Sequence, residues 1–137
     1  MQSLLATLMS LTLWIFLYGR SQTIQTPWLV PTSYDTLRNP FSGNPKAILE
    51  GKKIYESTCW TCHGLSGKGD GPSAISINPK PSDHTSEKIK NETDGALLWK
   101  ITKGRGPMPS YEQMFSRQQR WKLVCYIREL GKNQTEK

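Results

Sequence analysis

Cys59-Trp60-Thr61-Cys62-His63 is the stretch that most restricts what this chain can fold into. Two thiols separated by two residues, with an imidazole directly after the second, have the spacing at which one haem is captured through its vinyl groups. The same five residues deliver an axial nitrogen. Once both thioethers hold the macrocycle, the neighbouring imidazole binds iron with little further loss of entropy. The segment therefore predicts one covalently bound haem c, held by Cys59 and Cys62, with His63 on the iron.

Two other uses of this spacing compete with it. A thioredoxin-like redox pair needs a βαβ context, and no such pattern surrounds these cysteines. A structural zinc site needs four ligands, and the remaining donors, His84 and Cys125, do not stand at zinc-site spacings. With three cysteines in all, no disulfide framework is implied. Cys125 falls in an apolar helical stretch, where a free thiol behaves as a small buried hydrophobe.

A chain of 137 residues supports one domain, and most of its organised length is needed to surround a group as large as haem. Its hydrophobic fraction of 36% is low, so the macrocycle is expected to supply part of the core. Lysine and arginine number 18 against 11 acidic residues, a net +7 that favours an acidic protein partner or an anionic surface. The basic residues are scattered, with no recognition-helix pattern, which argues against nucleic acid.

Residues 4–18 form an apolar run without a charged side chain, followed by Arg20. Residues 1–20 therefore read as a signal peptide or a membrane anchor, and either places the remainder outside the cytoplasm, in the periplasm or on the outer face of the membrane. Residues 21–44 read as an extended, proline-punctuated linker, in which Trp28, Leu29 and Val30 offer a docking point. The domain proper is expected over 45–131, with a polar tail over 132–137.

Within the domain, helical periodicity begins after Pro45 and runs to Cys59. A long loop rich in glycine and proline follows His63. A second helix begins at Thr93 or Asp94 and stops at Gly104, and a last one runs from an N-cap at Ser116 to Gly131. No strand of ordinary length is expected.

Gly104-Arg105-Gly106-Pro107-Met108-Pro109 supplies a candidate for the sixth iron position. The two prolines keep Met108 out of a helix and restrict its loop, which suits presentation of a thioether. Met114 is the competing thioether, and His84 the competing imidazole for a bis-histidine site. Occupation of both axial positions by protein leaves no site for oxygen or peroxide, and so points to electron transfer.

These residues resemble the class I c-type cytochromes over roughly 45–131. Gly51-Lys52-Lys53-Ile54-Tyr55 lies just before the haem box, and Leu123-Val124-Cys125-Tyr126 is similar to its contact on the last helix. The chain also looks like bacterial single-haem domains with a G-x-G-D-G-P loop, a T-D-G-x-L-x-W-K-I helix and an M-P ligand loop. The resemblance implies a small all-α fold, its N- and C-terminal helices crossing beside one haem and long loops covering it. Gly51, Tyr55, Leu123 and Tyr126 carry over as residues of the crossing. Met108 carries over as the distal ligand. Pro72 resembles the loop proline whose carbonyl accepts a hydrogen bond from the axial imidazole, with Pro79 and Pro81 in competition. Trp99, Arg105 and Tyr111 stand where haem or its propionates are met, or where the core is packed.

The expectation is a single-electron carrier with His63/Met108 ligation, exported or membrane-anchored, that meets redox proteins bearing an acidic docking surface and turns over no substrate. The alternatives are a haem-bearing subunit of a respiratory or photosynthetic membrane complex, and a haem enzyme or gas sensor with an open sixth position.

Overall fold

The computed structural model describes residues 26–132. The apolar run at 4–18, the signal or anchor expected over 1–20, and all but the first residue of the polar tail lie outside them.

Six α-helices among the described residues carry the fold: α1 (Thr32–Asp35), α2 (Pro45–Ile54), α3 (Trp60–His63), α4 (Glu87–Lys90), α5 (Asp94–Lys103) and α6 (Arg117–Lys132). Among the described residues there is no strand, only an isolated bridge between Arg105 and Met108. This is the small all-α architecture expected from the sequence.

Helix α2 starts where its chemistry dictates. Asn44 Oδ1 accepts from the amides of Lys46 and Ala47, and Pro45 occupies the first turn, where no amide is needed. The helix passes through a π-turn at Tyr55–Cys59 into α3, so the haem box lies on one nearly continuous helical segment. Thr93 caps α5 through the Ala96 amide, and Gly104 ends it at φ 62°, a conformation that favours glycine. At α6, Ser116 and Gln119 form a reciprocal capping box.

The crossing of α2 and α6 is the mechanical centre. A Cβ on Gly51 would lie 2.0 Å from the Lys122 carbonyl oxygen, so only glycine lets the two backbones approach this closely. Tyr55 and Tyr126 meet edge to face at 5.2 Å, and Leu123 and Val124 are fully buried beside them. Lys122 pairs with Glu50 across the crossing.

Residues 26–44, expected as an extended linker, carry α1 and dock on the domain. The buried Asn39 donates to the Trp121 carbonyl at 3.0 Å and to the Cys125 sulfur at 3.2 Å, while its Oδ1 accepts from the Phe41 amide. Two arginines organise the loops. Arg120 donates to the carbonyls of Tyr111, Glu112 and Phe115. Arg128 pairs with Asp94 and caps the C-terminal carbonyls of α4 at Ile89 and Lys90.

Candidate haem site

The end of α3 opens onto a cavity of about 410 Å³. Cys59, Cys62, His63 and Met108 all line it, so two thiols, an imidazole and a thioether far apart in sequence share one enclosure. Its other walls are largely apolar: Ile77, Pro79 and Pro81 from the long loop, Ile89, Ile101, Tyr111, and Leu123 and Ile127 from α6.

The π-turn and α3 fix the proximal donors. Cys59 is buried, and burial, with the neighbouring Cys62, pushes its thiol up to about 12. A dithiol poised for exchange needs a lowered thiol pKa, so this environment is unlike that of a redox pair. Among the described residues, no three His, Cys, Asp or Glu side chains are grouped to hold a metal ion.

His63 Nδ1 lies 3.0 Å from the Ser82 carbonyl. An N–H donated from Nδ1 fixes the tautomer and leaves Nε2 free as a ligand. Burial lowers the His63 pKa, and the Ser82 bond opposes this without reversing it, so the ring is neutral near pH 7. His84 stacks on His63, ring centres 4.2 Å apart and planes at 20°, with the Tyr55 ring edge-on to it. Two stacked imidazoles stand on one side and cannot take opposite faces of a single iron. Tyr55 itself donates to the Gly64 carbonyl at 3.0 Å and so pins the turn after His63.

The carbonyl beside His63 corrects the expectation for Pro72, which is exposed and not part of the cavity wall. The backbone around Pro72 runs along the outside of α3, where Gly71 donates to the Cys62 carbonyl and Ser73 to that of Thr61. The chain then turns back, and the Pro79–Ser82 side of the loop reaches the imidazole.

Met108, also on the cavity wall, sits in a tight turn. Its amide donates to the Arg105 carbonyl at 3.0 Å, and the Arg105 amide donates back at 2.9 Å. Met114 is exposed and lies outside the cavity wall. Tyr111 is a buried wall residue stacked on Phe115, and burial pushes its hydroxyl up to about 12, which keeps it neutral. Arg105 also lines the cavity, but Trp99 does not: it packs edge-on against Trp28, at 6.2 Å. Trp28, expected only as a docking point for the linker, is itself a wall residue, and its signal in the sequence is an aromatic in a polar stretch.

The donor set fits a haem c. Two thiols stand at thioether spacing, a tautomer-fixed imidazole follows, and a largely apolar enclosure carries a soft sulfur donor on its wall.

Residues 48–131 match the Cytochrome c family model. Among solved structures, the chain is similar to a component of the reducing HAO-like protein complex Kustc0457/Kustc0458 from Kuenenia stuttgartiensis, at 35% identity and a TM-score of 0.61. That likeness covers 78% of this chain but 52% of the other, so this chain spans about half the length of its structural relative. No curated protein sequence matches it. With the family match extending over most of the chain and the haem box seated in a cavity of the expected chemistry, the protein belongs to the cytochrome c family and is a haem c protein.

Proposed function

We propose that this protein carries single electrons through one low-spin haem c, attached at Cys59 and Cys62 and ligated by His63 and Met108. The observation that carries the reading is the meeting of all four residues on one apolar cavity. The haem supplies the one-electron couple. The chain's residues set its surroundings. The Ser82 carbonyl accepts a hydrogen bond from the His63 Nδ1–H and orients the ring. Met108, a soft neutral donor, favours the reduced state more than a second imidazole does, so the potential is comparatively high. Ile101, Leu123 and Ile127 exclude water from the macrocycle, and neutral Tyr111 adds no charge beside it. Arg105 is one of the cavity-wall cations suited to a propionate, with Lys80, Lys88 and Lys100 the others, while Trp99 acts through its contact with Trp28.

With protein donors on both sides of the iron, no position remains for oxygen or peroxide, and the protein is a carrier rather than an enzyme. Its partners are redox proteins, and the net +7 favours acidic ones. It works outside the cytoplasm, exported or anchored through residues 4–18. A second reading, a haem-bearing part of a larger assembly, draws support from the relative's place in a protein complex. Co-purification of the intact chain with a stable complex favours that reading, and recovery as a free, processed protein favours the mobile carrier.

The test of ligation is the absorption spectrum of the haem-loaded protein. Sharp low-spin bands in the reduced form and a far-red methionine–iron band in the oxidised form are expected, with the far-red band lost in Met108→Ala. A low-spin spectrum that Met108→Ala leaves unchanged would overturn it.

A further inference from the structure

Residues 26–41 precede the stretch that matches the family, yet they are fastened to the domain along their length. Asn39 is held by α6, Thr93 Oγ1 donates to Asp35 at 3.1 Å, and α5 approaches the Tyr34 carbonyl so closely that a Cβ on Gly95 would lie 1.7 Å from its oxygen. The front of this strap reaches the cavity wall through Thr26 and Trp28.

There it grips a single turn. Arg105 Nη1 donates to the Thr26 carbonyl at 3.0 Å, and its guanidinium lies 4.8 Å from the centre of the Trp28 ring. The same ring meets Trp99 edge-on at 6.2 Å and has Lys100 Nζ 5.5 Å from its centre. Arg105 in turn exchanges both backbone hydrogen bonds with Met108. An unbroken series of contacts therefore runs from α5 through Trp28 and Arg105 to the backbone of Met108.

We propose that Trp28 is a positioning residue for Met108: it latches the Arg105–Met108 turn to α5 and so slows departure of the methionine sulfur from iron. The proposal rests on the ligation argued above. A thioether is a weak neutral donor. The base of the turn is tied to α5, where Ser110 Oγ donates to the Thr102 carbonyl and the Tyr111 amide to that of Ile101, but Gly106, Pro107 and Pro109 towards its tip are exposed, so the tip needs a restraint of its own. The cation–π contacts of Trp28 supply that restraint.

The test is displacement of Met108 from the oxidised holoprotein by imidazole, followed at the far-red band. At saturating imidazole the rate is that of Met108 leaving, whereas the slope at low imidazole also reports access to the iron. Trp28→Leu keeps an apolar wall without a π face, and Trp28→Phe keeps the face. Trp28→Leu is expected to raise the saturating rate about tenfold, and Trp28→Phe about threefold or less, as loss of a cation–π contact and a loosened hydrogen bond imply. Hydrogen exchange at the Arg105 and Met108 amides is expected to quicken in the same order. A steeper slope with an unchanged saturating rate makes Trp28 a shield only and overturns the proposal, as do equal effects of Leu and Phe. If the wild-type protein lacks a methionine band, the ligation fails separately. The latch is then decided by amide exchange, where a Trp28→Leu variant indistinguishable from wild type overturns it.

Discussion

Single residues divide by how much of their role is written in sequence spacing. Cys59, Cys62 and His63 are legible because haem attachment demands that they be neighbours, and the place of Met108 on the cavity wall because two prolines mark its loop. The Ser82 role is not legible, since a backbone carbonyl has no side-chain signature and is brought to His63 by the return of a loop. Trp99 belongs to a helix that borders the cavity, but its own ring turns to Trp28. Glu50 offers a prediction at this scale. Its hydrogen bond to Lys122 holds its pKa below the ordinary 4.5, helped by the charges of Lys122, Lys46 and Lys53. A carboxylate with a depressed folded-state pKa adds stability above its unfolded pKa and loses it as pH falls through the folded one. The stability difference between wild type and Glu50→Gln is therefore expected to be full above about pH 5 and to vanish in acid. Denaturant titrations at stepped pH read this, and a difference independent of pH counts against the assignment. Added salt should shrink it, because the pair is partly exposed.

At the scale of elements, the long helices were legible and the short ones were not. α2, α5 and α6 announce themselves through periodicity, with Pro45 in the first turn of α2 and caps at Thr93 and Ser116, whereas the Asn44 cap emerges only in the structure. α1 and α4 are four residues each, too short to build a periodic pattern, and α4 is held by tertiary contacts such as Arg128 on its last carbonyls. The π-turn inside the haem-box segment also escapes a reading based on 3.6-residue periodicity. The α2–α6 crossing makes a sharp demand. In Gly51→Ala the new methyl would meet backbone atoms of Lys122 that cannot swing aside as a side-chain tip can. The helices must separate, which loosens Tyr55 against Tyr126 and costs about 3 kcal/mol, the upper end of ordinary overpacking. Chemical denaturation of the haem-loaded variant checks this, and a loss below about 1 kcal/mol would mean the crossing is more compliant than its geometry implies.

For the whole molecule, the composition was already informative: 36% hydrophobic residues make a thin core for a domain of this size. The structure explains how so little suffices. Ile89, Ile101, Tyr111, Leu123 and Ile127 are buried, and each has a face on the cavity, so the core is arranged around the space a macrocycle fills. The strap at 26–41 closes the same arrangement from outside the family-matching region, which is why a reading by family alone misses it. Folding and haem attachment are thus coupled. A cavity near 410 Å³ cannot be closed by side-chain relaxation, and if water fills it the burial that opposes chain entropy is lost. Haem-free protein, made as Cys59→Ala/Cys62→Ala and without haem supplied, is expected to lose most of its helical circular dichroism and to melt without a cooperative transition. The haem-loaded wild type, by contrast, is expected to melt cooperatively, with stability contributed by the group that only the folded chain encloses. A haem-free variant with full helical signal and a sharp melt would show instead that α2, α5 and α6 form a self-sufficient core, and that haem is a passenger in it.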